Sequence, residues 1–340
     1  MKELNKTVVA IFLLTAGISC SQSNKQQTIP EEVVTEEGIF LADPTIFSHN
    51  NTYYLYGTSQ GKLSDHGEGF LVFESKDLET WEGPKGASGG LALKKGEAFG
   101  TTGFWAPQVF QHNDIFYMAY TANENIAIAT SDSPLGPFTN DGEALEAPVK
   151  QIDPYVFIND DGKKYLYHVR LQEGNKIFVA EMNDDLLSIK PETLTHCISA
   201  EEEWEDTENV PWPVAEGPTI LKEQGLYYLY YSANDFRNPD YAVGYATSTS
   251  PLGPWEKASQ NPIIDRNLVG ENGSGHGDVF FNEEGEMQYV LHTHFSEEKV
   301  HPRRSAVIKL ELTTTEEGES VVKADKESFR FLDAKVKNTQ

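Results

Sequence analysis

The sequence predicts an all-β protein, a five-bladed β-propeller, and three observations carry that prediction. First, a short strand opening recurs five times: Ala42-Asp43-Pro44-Thr45-Ile46-Phe47, Ala106-Pro107-Gln108-Val109-Phe110, Asp153-Pro154-Tyr155-Val156-Phe157, Glu216-Gly217-Pro218-Thr219-Ile220 and His276-Gly277-Asp278-Val279-Phe280. Aligned on Asp43, the openings fall at 43, 106, 153, 217 and 276, so the units are 47 to 64 residues apart. Second, every opening leads through a turn into a second apolar strand, usually Tyr-rich. Third, no sustained helical periodicity follows the first twenty residues.

The elements follow in order. Turns at His49-Asn50-Asn51, His112-Asn113-Asp114, Asn159-Asp160-Asp161-Gly162, Glu223-Gln224-Gly225 and Asn282-Glu283-Glu284-Gly285 close five hairpins. The second strands are Tyr53-Tyr54-Leu55-Tyr56, Phe116-Tyr117-Met118-Ala119, Tyr165-Leu166-Tyr167, Tyr227-Tyr228-Leu229-Tyr230 and Gln288-Tyr289-Val290-Leu291. Third strands are expected over 69–73, 126–129, 176–180, 242–246 and 305–312. Two of them end in nearly the same phrase, Ser133-Pro134-Leu135-Gly136-Pro137-Phe138 and Ser250-Pro251-Leu252-Gly253-Pro254-Trp255. Pro and Gly bar a helix there and force a turn, leaving the aromatic to pack between units.

Composition sets the remaining bounds. The 340 residues carry 11% aromatics, enough for a packed β-rich core. A net charge of −26 repels phosphate backbones and anionic lipid, which argues against nucleic acid and direct membrane adsorption and is compatible with a neutral ligand. Lys2 and Lys6 precede an apolar run over 7–18 that ends in Ser19-Cys20, the layout of an export signal. Cys20 after a small residue matches a lipoprotein cleavage site, although Gly17 stands where Leu is usual; ordinary secretion with a nearby cut is the alternative. The expected organisation is therefore an export signal over 1–19, a lipidated Cys with a polar tether over 20–36, and one propeller domain over 37–335. The expected form is a monomer, touching membrane only through the lipid. Cys197, the one other cysteine, reads as a packing residue.

The differences among the openings point to chemistry. In a propeller the first strand of each blade lines the central channel, so Asp43, Asp153 and Glu216 should face one pocket. Three convergent carboxylates suit acid–base work, because burial and like charge push their pKa values apart. Glu216 sits one residue before the position equivalent to Asp43, which Gly217 occupies. A one-residue offset reverses a strand side chain, so a local backbone deviation is expected at Glu216.

In these motifs the chain resembles glycoside hydrolase family 43, the arabinanases, arabinofuranosidases, β-xylosidases and related galactosidases. The resemblance rests on Ala42-Asp43-Pro44, Trp105-Ala106-Pro107, Asp153-Pro154, Glu216-Gly217-Pro218 and Gly275-His276-Gly277, five motifs in order at blade spacing. It implies a five-bladed propeller that cleaves arabinosyl, xylosyl or galactosyl linkages by single displacement with inversion. By position, Asp43 resembles the general base, Glu216 the general acid, and Asp153 the carboxylate that orients the acid and holds its pKa up. Inversion calls for base and acid roughly 6.5–9.5 Å apart. Trp105 is expected to wall a sugar ring, with Arg170, Asn234, His292 and His294 near the pocket. Arg304 resembles a substrate-side arginine of blade five, although Arg303 could be the equivalent residue. No cofactor is required. His276 resembles a channel histidine that meets a structural calcium through water; the alternative is a hydrogen-bonded channel residue. The acidic loop over 201–213, with Trp204 and Trp212, leads into Glu216 and is expected to shape the rim. Fructan hydrolases share this fold, but their acid Glu precedes Cys and their middle blade carries Arg-Asp-Pro; here Gly217 and Ile152 stand in those places. A non-catalytic glycan-binding lipoprotein should have lost a carboxylate, and all three are present.

Overall fold

The computed structural model describes residues 33–59, 68–315 and 320–338. The export signal, Cys20 and most of the tether lie outside them. Five sheets form the blades, antiparallel except for one parallel pair at the edge of the first. Their inner strands are Leu41–Ser48, Trp105–His112, Gln151–Ile158, Ala215–Glu223 and Gly275–Phe281, and each touches the next in a closed ring. The second strands are Tyr53–Ser59, Ile115–Ala122, Lys164–Leu171, Leu226–Ala233 and Met287–Thr293.

The ring is closed at blade I. Val33–Gly38 pairs antiparallel with Asp333–Asn338, which in turn pairs with Trp81–Glu82 at the edge of that blade. Residues 33–36, assigned to the tether from sequence, are thus strand; the β-branched run Val33-Val34-Thr35 suits an edge position. The third strand of blade I also differs. The stretch expected over 69–73 divides, with Gly69–Leu71 pairing Leu91–Lys94 and Phe73–Ser75 pairing the blade.

Apolar packing explains the Tyr-rich strands. Each interface between neighbouring blades holds its own apolar cluster. In Leu226–Ala233, Tyr228 and Tyr230 pack toward blade V, whereas Tyr227, Leu229 and Tyr231 pack toward blade III. Side chains alternate across a strand, and both faces are covered, so the strand reads as a continuous apolar run. Full burial of Leu229 stabilises the fold by about 1.5–3 kcal/mol relative to exposure. The repeated phrases occupy equivalent places. Tyr56 of blade I donates to the Pro134 carbonyl at 2.5 Å, and Tyr167 of blade III donates to that of Pro251. Phe138 is fully buried, and Trp255 packs edge-on against Tyr167.

The local deviation expected at Glu216 is present, and it recurs in every blade. The register between first and second strands shifts at 42/45, 105/108, 152/155, 216/219 and 275/277. At each shift one residue takes a positive φ: Asp43 (48°), Ala106 (43°), Asp153 (53°), Gly217 (61°) and His276 (39°). Below this tier, the Asp278 carboxylate accepts hydrogen bonds from Thr45 and Thr219 at 2.6 Å each, tying blades I, IV and V.

Blade IV alone places glycine at the bulge, because a Cβ on Gly217 would lie 2.8 Å from the His276 ring. Gly217→Ala is expected to lower the free energy of unfolding by about 1–3 kcal/mol, combining left-handed strain with that clash. Urea denaturation measures it, and an unchanged midpoint would contradict the packing.

Candidate active site

The bulges aim the site. At a bulge the strand turns its side chain out of the regular alternation and leaves its amide unpaired in the ladder. Side chains from the second strand of the preceding blade take up those amides. Ala106 donates to Thr58 Oγ1 (3.0 Å), Asp153 to Thr121 Oγ1 (2.9 Å), His276 to Ser232 Oγ (2.7 Å) and Asp43 to His292 Nδ1 (3.1 Å). The equivalent place in blade III is Val169, opposite Ile152, and Val cannot accept. The Gly217 amide donates instead to Asp153 Oδ2 at 3.2 Å, linking the Asp153 carboxylate to the residue after Glu216.

Asp43, Asp153 and Glu216 line one cavity of about 560 Å³, with Trp105, Asn175, Trp212, Phe236, His276, His301 and Arg303 among its other walls. The volume suits a sugar-sized ligand. All three carboxylates are buried, yet their surroundings differ. Burial alone would raise the Asp43 pKa, but Arg303 Nη1 at 3.1 Å from Oδ1, the nearby His276 and His292 rings, and the Thr58 hydroxyl at 2.6 Å from Oδ2 outweigh it. They hold the carboxyl well below the usual range. The Thr58 hydroxyl serves both blades, donating its proton to Asp43 while its oxygen accepts from the Ala106 amide.

Glu216 is pushed up to about 7, chiefly by burial and further by the Asp43 charge; hydrogen bonds from Tyr241 (2.9 Å to Oε1) and Asn175 (2.8 Å to Oε2) oppose the rise. Asp153 is raised well above its ordinary value by burial, then by the charges of Glu216 and Asp43. Asp153 and Glu216 therefore titrate as a pair. The cavity can hold one carboxylate ionised and another protonated at neutral pH, the condition for concerted acid and base action.

The other sequence candidates divide. Trp105 lies on the wall and is 38% exposed. Arg304 does not reach the cavity: its guanidinium packs 3.3 Å from the Phe331 ring centre on the outer face. Its neighbour Arg303 faces inward, touching Asp43 and covering the Phe236 ring. Successive residues of an extended chain point to opposite faces, so only one of the two can line the site. Arg170 is likewise turned away, over Phe178, while Leu171 lines the cavity. His294 lies beyond the strand Met287–Thr293, so the alternation from His292 does not extend to it. It sits buried behind the wall with Nε2 2.9 Å from the Phe236 carbonyl. Asn234 is buried and pins the rim loop, accepting from the Thr207 amide and donating to the Trp204 carbonyl.

Sequence reasoning missed Asn175, Tyr241, Phe236 and His301. They sit at strand starts and in loops, outside the repeated positions, and no motif marks them.

His276 lines the cavity with Nδ1 3.4 Å from Asp43 Oδ1. Below it the channel leaves a space of about 20 Å³, room for roughly one water. Calcium takes six to eight oxygens. The carboxylates here are already engaged, Asp43 by Arg303 and Thr58 and Asp278 by two threonines. Among the described residues no group of three or more His, Cys, Asp or Glu is arranged to hold a metal. The residues present do not fit a directly ligated calcium.

A five-bladed propeller whose mouth gathers three buried carboxylates between aromatic walls has the layout of a carbohydrate-cleaving enzyme. The chain belongs to glycosyl hydrolases family 43, whose model matches residues 37–318. That family comprises inverting glycosidases, and this protein is a glycoside hydrolase of that kind. A crystal structure of an endo-1,4-beta-xylanase from Bacteroides thetaiotaomicron VPI-5482 is 41% identical, with a TM-score of 0.79, covering 90% of this chain and 100% of that one. A thermostable family-43 glycoside hydrolase is 37% identical, with a TM-score of 0.74, over 84% of this chain and 92% of that one. A beta-D-galactofuranosidase of Aspergillus niger is 26% identical over 87% of each chain. A xylosidase/arabinosidase of Butyrivibrio fibrisolvens is 26% identical over 74% of this chain, which spans 49% of that relative.

Removing the Tyr241 hydroxyl deletes a donor that stabilises ionised Glu216. Tyr241→Phe is expected to move the Glu216 titration upward, as read by carboxyl-carbon NMR. A downward shift would contradict the electrostatics described.

Proposed function

We propose that Asp43 is the general base that activates water, Glu216 the general acid that protonates the leaving oxygen, and Asp153 the carboxylate that positions Glu216 through the Gly217 amide and titrates together with it. The observation that carries the reading is the contrast of partners within one cavity: the Arg303 guanidinium lies 3.1 Å from Asp43, whereas the buried Glu216 carboxyl is held by the neutral Tyr241 and Asn175. Arg303 keeps Asp43 ionised, while burial keeps Glu216 protonated up to about pH 7. Trp105 offers an apolar face to the sugar bound between them. The sugar's C1 is attacked by water from the Asp43 side as its exocyclic C–O bond breaks toward Glu216. Asp43 takes the water's proton, and the leaving oxygen takes that of Glu216. Side chains and water fill every role, so no cofactor is needed, and activity is expected to survive treatment with EDTA. Loss restored by calcium would assign His276 the water-mediated ion.

The substrate class is a neutral plant-type glycan with arabinosyl, xylosyl or galactofuranosyl linkages. Relatives named for each of these activities support that range. A non-catalytic binding role has no observation in its favour. Export is supported by the N-terminal sequence and by relatives that include an extracellular exo-alpha-(1->5)-L-arabinofuranosidase of Cellvibrio japonicus. Among the described residues no helix is long and apolar enough to cross a membrane. We infer anchoring through a lipid on Cys20; Cys20→Ser is expected to release the protein from the membrane fraction, and retention there would refute the anchor.

The roles separate by leaving group. Glu216→Ala and Asp43→Ala are each expected to lower kcat about 10²–10⁴-fold on unactivated glycosides. The Glu216 deficit should shrink as aryl leaving groups become more acidic, and the Asp43 deficit should not. The reverse pattern would exchange the roles. In the parent enzyme, activity is expected to fall as pH rises through about 7, where Glu216 loses its proton. A flat profile to pH 9 would exclude it as the acid.

A further inference from the structure

The loop that leads into Glu216 holds a second exposed aromatic whose place the catalytic roles leave unexplained. Trp212 is 46% exposed and lines the catalytic cavity on one side. On the other side it lines an adjoining depression of about 600 Å³, together with Glu208, Pro211, Asp235, Arg237 and Pro239. Its indole Nε1 donates to Asn175 Oδ1 at 2.9 Å, and Asn175 Nδ2 donates to Glu216 Oε2 at 2.8 Å. Trp212 therefore stands two hydrogen bonds from the carboxyl that faces the departing oxygen.

We propose that Trp212 is the platform of a leaving-group subsite, which takes one or more neutral sugar residues on the side of the scissile bond that departs. The inference rests on Glu216 being the acid. A departing sugar carries the oxygen that Glu216 protonates, so its ring lies on the Glu216 side, where Trp212 begins the depression. An indole face binds the apolar face of a sugar ring, and its exposed edge leaves hydroxyls in water. The charge around it favours a neutral ring. Arg237, the cation of the depression, is held in a fork by Asp235 at 2.6 and 2.5 Å, and Glu208 adds negative charge.

The platform is rigid before any ligand arrives. The Glu205 carboxylate, buried beneath the loop, accepts from the Glu201 and Glu202 amides, from Tyr231 and from Lys257, at 2.5–2.8 Å. The Asn175 amide donates to the Pro213 carbonyl at 2.9 Å, and a Cβ on Gly174 would lie 2.6 Å from that oxygen. A preformed surface binds without an ordering cost.

The test compares substrates with and without a departing sugar. The 4-nitrophenyl xyloside and arabinofuranoside present only an aryl group to the depression, whereas 1,4-β-xylotetraose and 1,5-α-arabinotetraose present sugar rings. Trp212→Ala is expected to lower kcat/KM for the cleaved tetraose about tenfold more than for its aryl glycoside, mainly through KM. Trp212→Phe, which keeps a ring and loses the N–H, should recover most of that difference. Equal losses on both substrates would overturn the subsite. So would a loss confined to kcat with a displaced alkaline limb of the pH profile, since Trp212 would then act only through Asn175. Calorimetric binding of the tetraoses to both proteins separates this inference from the catalytic reading. Trp212-dependent binding without cleavage would leave Trp212 a sugar-binding platform but remove the glycosidase roles and with them its assignment to a leaving group; cleavage with binding indifferent to Trp212 would overturn the platform and leave those roles intact. Thermal denaturation of each variant identifies losses due to unfolding, and Trp212→Phe then decides.

Discussion

The structure depends on a backbone constraint repeated five times, a left-handed residue at the mouth of every inner strand. Such a conformation costs about 1–2 kcal/mol wherever a side chain is present, and four of the five positions carry one. The strain persists because each displaced amide is caught by the neighbouring blade, so ring closure and bulge geometry support one another. The same kink turns Asp43, Asp153 and His276 out of strand alternation and into the channel mouth. A flat strand would send some of these side chains into an interface between blades, where the apolar clusters leave no room for charge.

Blade IV shows how one exception builds the chemistry. The His276 ring fills the space where a bulge side chain would lie, so the position must be glycine, and the carboxylate comes from Glu216 instead. Val169 in blade III withholds the acceptor that the other blades provide, and the Gly217 amide turns to Asp153. Two departures from the repeat thus bring the Asp153 and Glu216 carboxyls under a shared proton balance, while Arg303 sets Asp43 apart. Burial acts on all three. The guanidinium decides which one stays charged.

The fold was legible in the sequence because five openings shared their order, turns and second strands, and the alignment at 43, 106, 153, 217 and 276 coincides with the five left-handed residues. The bulge was expected at Glu216 alone, since only there did the offset reveal it; in blades I to III Asp-Pro and Ala-Pro disguise the same kink as an ordinary turn, and in blade V His276-Gly277 carries no offset to mark it. Residues on repeated positions could be placed from sequence. Those held by irregular backbone could not: Arg304 and Arg303 are adjacent and chemically alike, and only the facing of one strand separates them. Asn175, Tyr241 and Trp212 converge on Glu216 from a strand start and two loops, a meeting that no local pattern encodes.

The central claim is that an ionised Asp43 directs water at the sugar from one side while Glu216 releases the departing oxygen on the other. The stereochemistry of the first product tests it most directly. Proton NMR during the opening minutes of hydrolysis, before mutarotation, is expected to show the anomer opposite to that of the substrate. A first-formed product that keeps the substrate's configuration would mean a covalent intermediate, and the assignment of Asp43 as a base acting through water would be wrong.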